Sequence, residues 1–160
     1  MASEIERKFL VRDEEWQRGA GPGATIRQGY IVASEAVSVR VRISGDQAWL
    51  NIKGATLGVS RMEFEYPVPV ADAGQILEAL CIKPLIEKTR HLVDFGGHRW
   101  EIDVFEGENH GLVVAEIELD SESERFEKPP WAGEEVSMDP RYYNASLAIR
   151  PFRMWKDEAG

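Results

Sequence analysis

Charged residues recur two positions apart along this chain, separated by apolar ones, and no other feature restricts the fold as much. The first case is "MASEIERKFLV", where Glu4, Glu6 and Lys8 alternate with Ile5, Arg7 and Phe9. Side chains on a strand point alternately to its two faces, so Glu4, Glu6 and Lys8 share one face. The pattern returns with Arg40 and Arg42, Asn51 and Lys53, Glu63 and Glu65, Lys88 and Arg90, Glu101 and Asp103, and Glu116 and Glu118. Most of these later pairs repeat one sign. Like charges on adjacent positions of one strand face repel, a cost that a merely solvated face has no reason to incur repeatedly.

Eight stretches carry strand patterning: "EIERKFLV", "TIRQGYIV", "SVRVRIS", "AWLNIKG", "RMEFEYPV", "LIEKTRHLVDF", "RWEIDVFEG" and "LVVAEIELD". "SGDQ" and "FGGH" are short hairpin links. The apolar spacing of "VADAGQILEALC" predicts a helix packed on the sheet. "SESERFE" has the Ser-x-x-Glu form of a helix start, and a last helix is expected through "PRYYNASLAI". In the tail, Ile149, Phe152 and Trp155 recur every third residue between Arg150, Arg153 and Lys156. This favours a segment packed against the sheet, with a membrane-surface helix or partner contact as the alternative. "RGAGPGAT" fits neither a P-loop nor a dinucleotide fingerprint and reads as a mobile loop. The expected class is α+β, a single domain over residues 1–160 whose eight antiparallel strands close into a barrel with a few helices outside.

Two readings of the charged face stay open. It faces solvent, or the barrel closes with this face inward and forms a polar tunnel. In the tunnel, eight carboxylates (Glu4, Glu6, Glu63, Glu65, Glu101, Asp103, Glu116, Glu118) meet six bases (Lys8, Arg40, Arg42, Lys53, Lys88, Arg90). Hard oxygen ligands suit Mg²⁺ or Mn²⁺. Arginine forks suit phosphate oxygens, and lysine supplies a point charge. A linear triphosphate carries roughly four to five negative charges, counting about two per terminal group. Six bases with one or two cations match that load.

At these residues the chain resembles the CYTH superfamily, the triphosphate tunnel metalloenzymes. "EIERK" is the family's Glu-x-Glu-x-Lys opening, and Arg40-x-Arg42, Lys53, Glu63-x-Glu65, Lys88-x-Arg90, Asp103 and Glu116-x-Glu118 follow in family order. The ending "PPWAGEEVSMDPRYYNASLA" is similar to short bacterial inorganic triphosphatases. The resemblance implies a metal-dependent triphosphate hydrolase with one or two Mg²⁺ or Mn²⁺ ions. It assigns phosphate binding to Lys8, Arg40, Arg42, Lys53, Lys88 and Arg90, and metal binding to Glu4, Glu6, Glu116 and Glu118. Glu63, Glu65 and Asp103 would complete or support the metal shell. Lys8, Arg42, Lys88, Glu116 and Glu118 are the expected catalytic set. Glu101 takes no family role, and Tyr30 in "IRQGYI" either lines the tunnel or is a buried, hydrogen-bonded tyrosine.

Other chemistries lack support. The formal net charge of −9 argues against a nucleic-acid or anionic-membrane partner. Cys81 is the only cysteine and reads as a buried, inert thiol. His91, His98 and His110 lack metal-ligand spacing and read as surface residues. With no signal peptide evident and no membrane-length apolar run, the expected location is cytoplasmic, acting on a triphosphate-containing small molecule, with monomer and homodimer both open. Competing activities are a thiamine or nucleoside triphosphatase, a class IV adenylate cyclase and a non-catalytic polyphosphate-binding module. Such cyclases carry an early His-Phe pair with a nearby proline, whereas the first histidine here is His91.

Overall fold

Eight stretches with strand patterning and one further segment form nine strands in the computed structural model, which describes residues 3–57 and 59–155. They are β1 (Ser3–Val11), β2 (Ala24–Ala33), β3 (Val37–Ser44), β4 (Gln47–Gly54), β5 (Ser60–Val68), β6 (Ile86–Phe95), β7 (His98–Phe105), β8 (Val113–Glu118) and β9 (Ala132–Glu135). Two α-helices accompany them, α1 (Val70–Ala79) and α2 (Asn144–Ile149). All pairings are antiparallel, in the order β5-β4-β3-β2-β6-β7-β8-β1-β9. A further β5–β1 pairing, Glu4 opposite Arg61, closes the first eight strands into a ring. Closure leaves neither β1 nor β5 as a free edge.

The apolar faces point outward and are covered over most of the ring, whereas Met62, Phe64 and Tyr66 of β5 stay exposed. Phe9, Trp100, Ile102, Ala115, Ile117 and Trp131 form one buried cluster outside the ring. Helix α1 covers Val41 and Ala48 with Ala73, Leu77 and Cys81. Gly29 of β2 meets this layer so closely that an added Cβ would lie 2.8 Å from Leu85 Cδ2 and 2.9 Å from Cys81 Cβ. In the "FGGH" link, Gly96 and Gly97 both have positive φ, 60° and 81°, as a two-residue turn between twisted strands requires.

Tyr30, Ile86, Phe105 and Val114 have the opposite, inward parity, yet they pack with Leu147 and Ala148 of α2. Helix α2 therefore caps one end of the barrel with an apolar layer. Tyr30 belongs to this cap.

Three local expectations change. "SESERFE" forms turns instead of a helix: Glu124 accepts the Asp120 amide at 2.6 Å but also pairs with His98 at 2.6 Å. Phe126 is drawn against Phe9 and Trp100, and Pro129 and Pro130 follow. The "RGAGPGAT" loop is stitched to β6 through an Ala20–Val93 bridge and the Gly21 amide bonded to Leu92 O at 3.3 Å. Strand β9 carries no local signal, because "AGEE" is poor in strand-forming residues. It pairs with the second half of β1, where Gly133 lies close to Leu10 O and Arg12. The tail packs only in part: Phe152 and Trp155 join the α2 cluster, with Trp155 edge-on to Phe152 and Tyr142, whereas Ile149 is 60% exposed and Lys156 lies outside the described residues. No helix among the described residues is long and apolar enough to cross a membrane.

Candidate active site: a charged lumen

Since apolar residues occupy the outer face, strand alternation sends the charged residues into the ring. Seven carboxylates and six bases line one cavity of about 490 Å³: Glu4, Glu6, Glu63, Glu65, Glu101, Glu116 and Glu118, with Arg40, Arg42, Lys53, Arg61, Lys88 and Arg90. These residues thus face a shared lumen, although Glu65 and Glu118 remain exposed to solvent. Lys8 lies deeper, lining an adjoining chamber of about 30 Å³ with Glu4, Glu6 and Arg61.

The register sets which charges meet. Glu6 lies opposite Glu118 across β1–β8, and Glu101 lies opposite Glu116 across β7–β8. Like charges facing each other across a ladder destabilise it. Burial, Glu116 and Glu4 push the Glu6 carboxyl well above the usual range. Burial, Glu4 and Glu63 raise Glu118, which makes no ion pair with any described residue. Glu63 is raised mainly by burial. Its carboxylate and that of Glu65 both accept from Asn51 Nδ2, at 3.3 and 2.7 Å.

Other acids are neutralised from within. Glu4 accepts from Lys53 at 3.0 Å and Arg61 at 3.2 Å, and Arg61 also reaches Glu6 at 3.6 Å. Despite burial, Lys53 and Arg61 hold Glu4 well below the ordinary carboxylate range. Glu116 is likewise held low by Lys8, Arg90 and Lys88, against its burial, with Lys8 at 3.4 Å. Asp103 is fully buried, accepts a fork from Arg90 at 2.8 and 2.9 Å, and pairs with Lys88 at 2.8 Å. Burial pulls the Lys88 ammonium down to about 8, although Asp103 opposes it.

The β3–β4 side is basic. Arg42 lies over the Trp49 ring at 5.3 Å and reaches Glu65 at 3.7 Å. Arg40 is only 7% exposed, its Nε has no hydrogen-bond partner, and its guanidinium pairs with no described carboxylate. Leaving a buried charge uncompensated is costly, so this corner suits an anion.

The lumen brings together every residue expected there except Tyr30, which sits in the end cap, and Asp103, which lies beneath Lys88 and Arg90. Among the described residues, no cluster of three or more His, Cys, Asp or Glu is arranged as a ready-made metal site. Arg61 was missed, although its parity with Glu63 and Glu65 in "RMEFE" gives it away. Asn144, at the start of α2, was missed because no strand alternation marks it.

Comparison with known proteins agrees with this geometry. A family model described as the CYTH domain matches residues 2–148. An inorganic triphosphatase of Acetivibrio thermocellus is 48% identical over 157 residues, covering 98% of this chain and all of the relative. A second, from Nitrosomonas europaea, is 36% identical over 153 residues, covering 92% and 97%. A crystal structure of an inorganic triphosphatase superposes with a TM-score of 0.66 at 33% identity, covering 93% of this chain and 96% of that one.

Proposed function

This chain belongs to the CYTH domain family, and from that premise we propose that it hydrolyses inorganic tripolyphosphate inside its charged lumen. The observation that carries the reading is Arg40, a buried guanidinium that forms no ion pair with any described carboxylate, beside Arg42 and Lys53 in a cavity otherwise rich in acids. That corner binds an anion. The opposing acids bind the cation that lets a polyanion sit beside them.

The donor set fits a divalent cation. Glu6 faces Glu118 and Glu101 faces Glu116, and repulsion of this kind is relieved by a shared positive charge. Glu4, Glu6, Glu116 and Glu118 would hold Mg²⁺ or Mn²⁺, with Glu63 and Glu65 in support. When bound, the cation neutralises charge and polarises phosphoryl oxygens.

The chain's own bases do the positioning. Arg40, Arg42 and Lys53 take phosphate oxygens on the β3–β4 side; Lys8, Lys88 and Arg90 take them from the other side. Trp49 holds the Arg42 plane, and Asp103 fixes Lys88 and Arg90 so that their donors are preorganised. Asp103 is thus assigned to positioning bases, and Tyr30 to closing the tunnel end. Water attacks a terminal phosphorus held in line, and the phosphoanhydride bond breaks to give orthophosphate and diphosphate. Trp49 is engaged by Arg42 and the far end is capped by α2, which leaves no free aromatic platform for a nucleobase in the lumen among the described residues.

The test is a substrate panel at one fixed Mg²⁺ concentration. Tripolyphosphate should give the highest kcat/KM, ATP less, and pyrophosphate little, because a shortened chain leaves buried bases unpaired. An ATP value at or above that for tripolyphosphate, or cyclic AMP as a product, overturns the assignment.

A further inference from the structure

Asn144 is the one residue of α2 that lines the lumen, and its amide is locked in orientation. Its Oδ1 accepts from Gln28 Nε2 at 3.0 Å and from Lys88 Nζ at 3.2 Å. An ammonium can only donate, so flipping the amide would set its NH₂ against the Lys88 ammonium. The oxygen must therefore face β2 and β6. The Nδ2 group is left pointing away from them and bonds to no described residue. Asn144 lines both the main cavity and the small adjoining chamber. Its two free N–H bonds thus serve the end of the lumen that α2 closes. Around it stand Lys8, whose Nζ donates to the Tyr142 carbonyl at 3.0 Å, and Lys88, with Arg61 and the carboxylates of Glu4 and Glu6 in the adjoining chamber.

We propose that Asn144 is a substrate-binding residue whose Nδ2 donates to an oxygen of the innermost phosphate and so fixes how far the triphosphate enters. This rests on the triphosphatase reading above. A neutral amide donor suits the role: it takes an anionic oxygen without adding to the repulsion among the neighbouring bases, and a donor NH₂ cannot ligate a cation. It also ties the cap to the chemistry, since the helix that closes the lumen supplies a contact to the chain end.

Two substitutions separate binding from packing. Asn144→Asp keeps the size and the Oδ1 acceptor for Gln28 and Lys88, but replaces the donor with an anion. Asn144→Ala removes donor and acceptor together. If Nδ2 holds phosphate, KM for tripolyphosphate rises about tenfold or more in N144D, the scale of a lost hydrogen bond to a charged group. N144A then rises less, because it adds no repulsion, and kcat changes less than KM in both. If Asn144 only anchors α2, the order changes: N144A keeps the wild-type KM but melts lower, and N144D raises KM only through the charge it adds beside Lys88.

Steady-state kinetics at saturating Mg²⁺, with melting temperatures, decide between these orders. An active wild type with N144A of equal KM overturns the inference alone. A wild type that releases no phosphate from tripolyphosphate overturns the functional reading on which it rests.

Discussion

Asp103→Asn tests whether the lumen's bases are held in place by a carboxylate that itself never reaches the substrate. Asp103 is fully buried and takes three charge-assisted contacts, two from Arg90 and one from Lys88. Removing one partner of a buried pair costs about 3–5 kcal/mol. Asparagine keeps one acceptor oxygen, and Arg90 keeps Glu101 at 2.8 Å, which places D103N near the lower end, about 3 kcal/mol. For a chain of this size each kcal/mol moves the midpoint by about 2–4 °C, so D103N should melt about 6–12 °C lower. Lys88 keeps Asn144 Oδ1 at 3.2 Å but loses its charged partner at 2.8 Å. Its ammonium titrates at about 8, with burial lowering it and Asp103 opposing burial. Losing Asp103 moves that titration to lower pH. A lysine loses its charge as pH rises through its pKa, so wild-type activity should fall above about pH 8 and that alkaline limb should move toward neutrality in D103N. Calorimetry and a pH profile of kcat/KM on tripolyphosphate measure both effects. A D103N protein that melts with wild type and keeps its alkaline limb refutes the reasoning. A changed Mg²⁺ requirement with an unmoved limb would return Asp103 to the metal shell.

Glu118→Gln and Glu116→Gln should both lose most turnover yet move metal-free stability in opposite directions. Glu118 is opposed by Glu4 and Glu63, so E118Q melts higher, whereas Glu116 pairs with Lys8, so E116Q melts lower. Melting shifts of the same sign in chelator contradict this. Arg42→Ala should lose on the order of 10²–10³ in rate, and Arg42→Lys should recover only part, since lysine cannot reproduce the fork; full activity in R42K counts against a bidentate contact. Gly29→Ala forces a Cβ to 2.8 Å from Leu85 Cδ2 and should cost about 1–3 kcal/mol in chemical denaturation with kcat unchanged. An unshifted denaturation midpoint would show that the α1 layer yields freely.

Strand alternation made most of this molecule legible. Parity alone assigns Glu4, Arg40, Lys53, Glu63, Lys88 and Glu116 to one face, and the repetition of like charges favours an inward face that only ring closure decides. What it could not give is depth within the lumen. Tyr30 and Ile86 share parity with Lys88 yet belong to the apolar cap, because α2 arrives from more than fifty residues away in sequence. Likewise Asp103 and Glu101 look equivalent as a pair, and only the closed ring shows that Asp103 sits under two bases. Asn144 and β9 were silent for a related reason. Their placement follows from tertiary pairing with β1, Gln28 and Lys88, not from local propensity.

The most direct measurement of the central claim is orthophosphate release from tripolyphosphate by protein stripped with chelator, followed by re-addition of Mg²⁺ or Mn²⁺. The carboxylates opposite Arg40 repel the substrate unless a cation is shared between them. The stripped protein should therefore be silent, and the cation should restore release of orthophosphate together with diphosphate. Full activity in chelator, or continued silence after either cation is restored, contradicts the account.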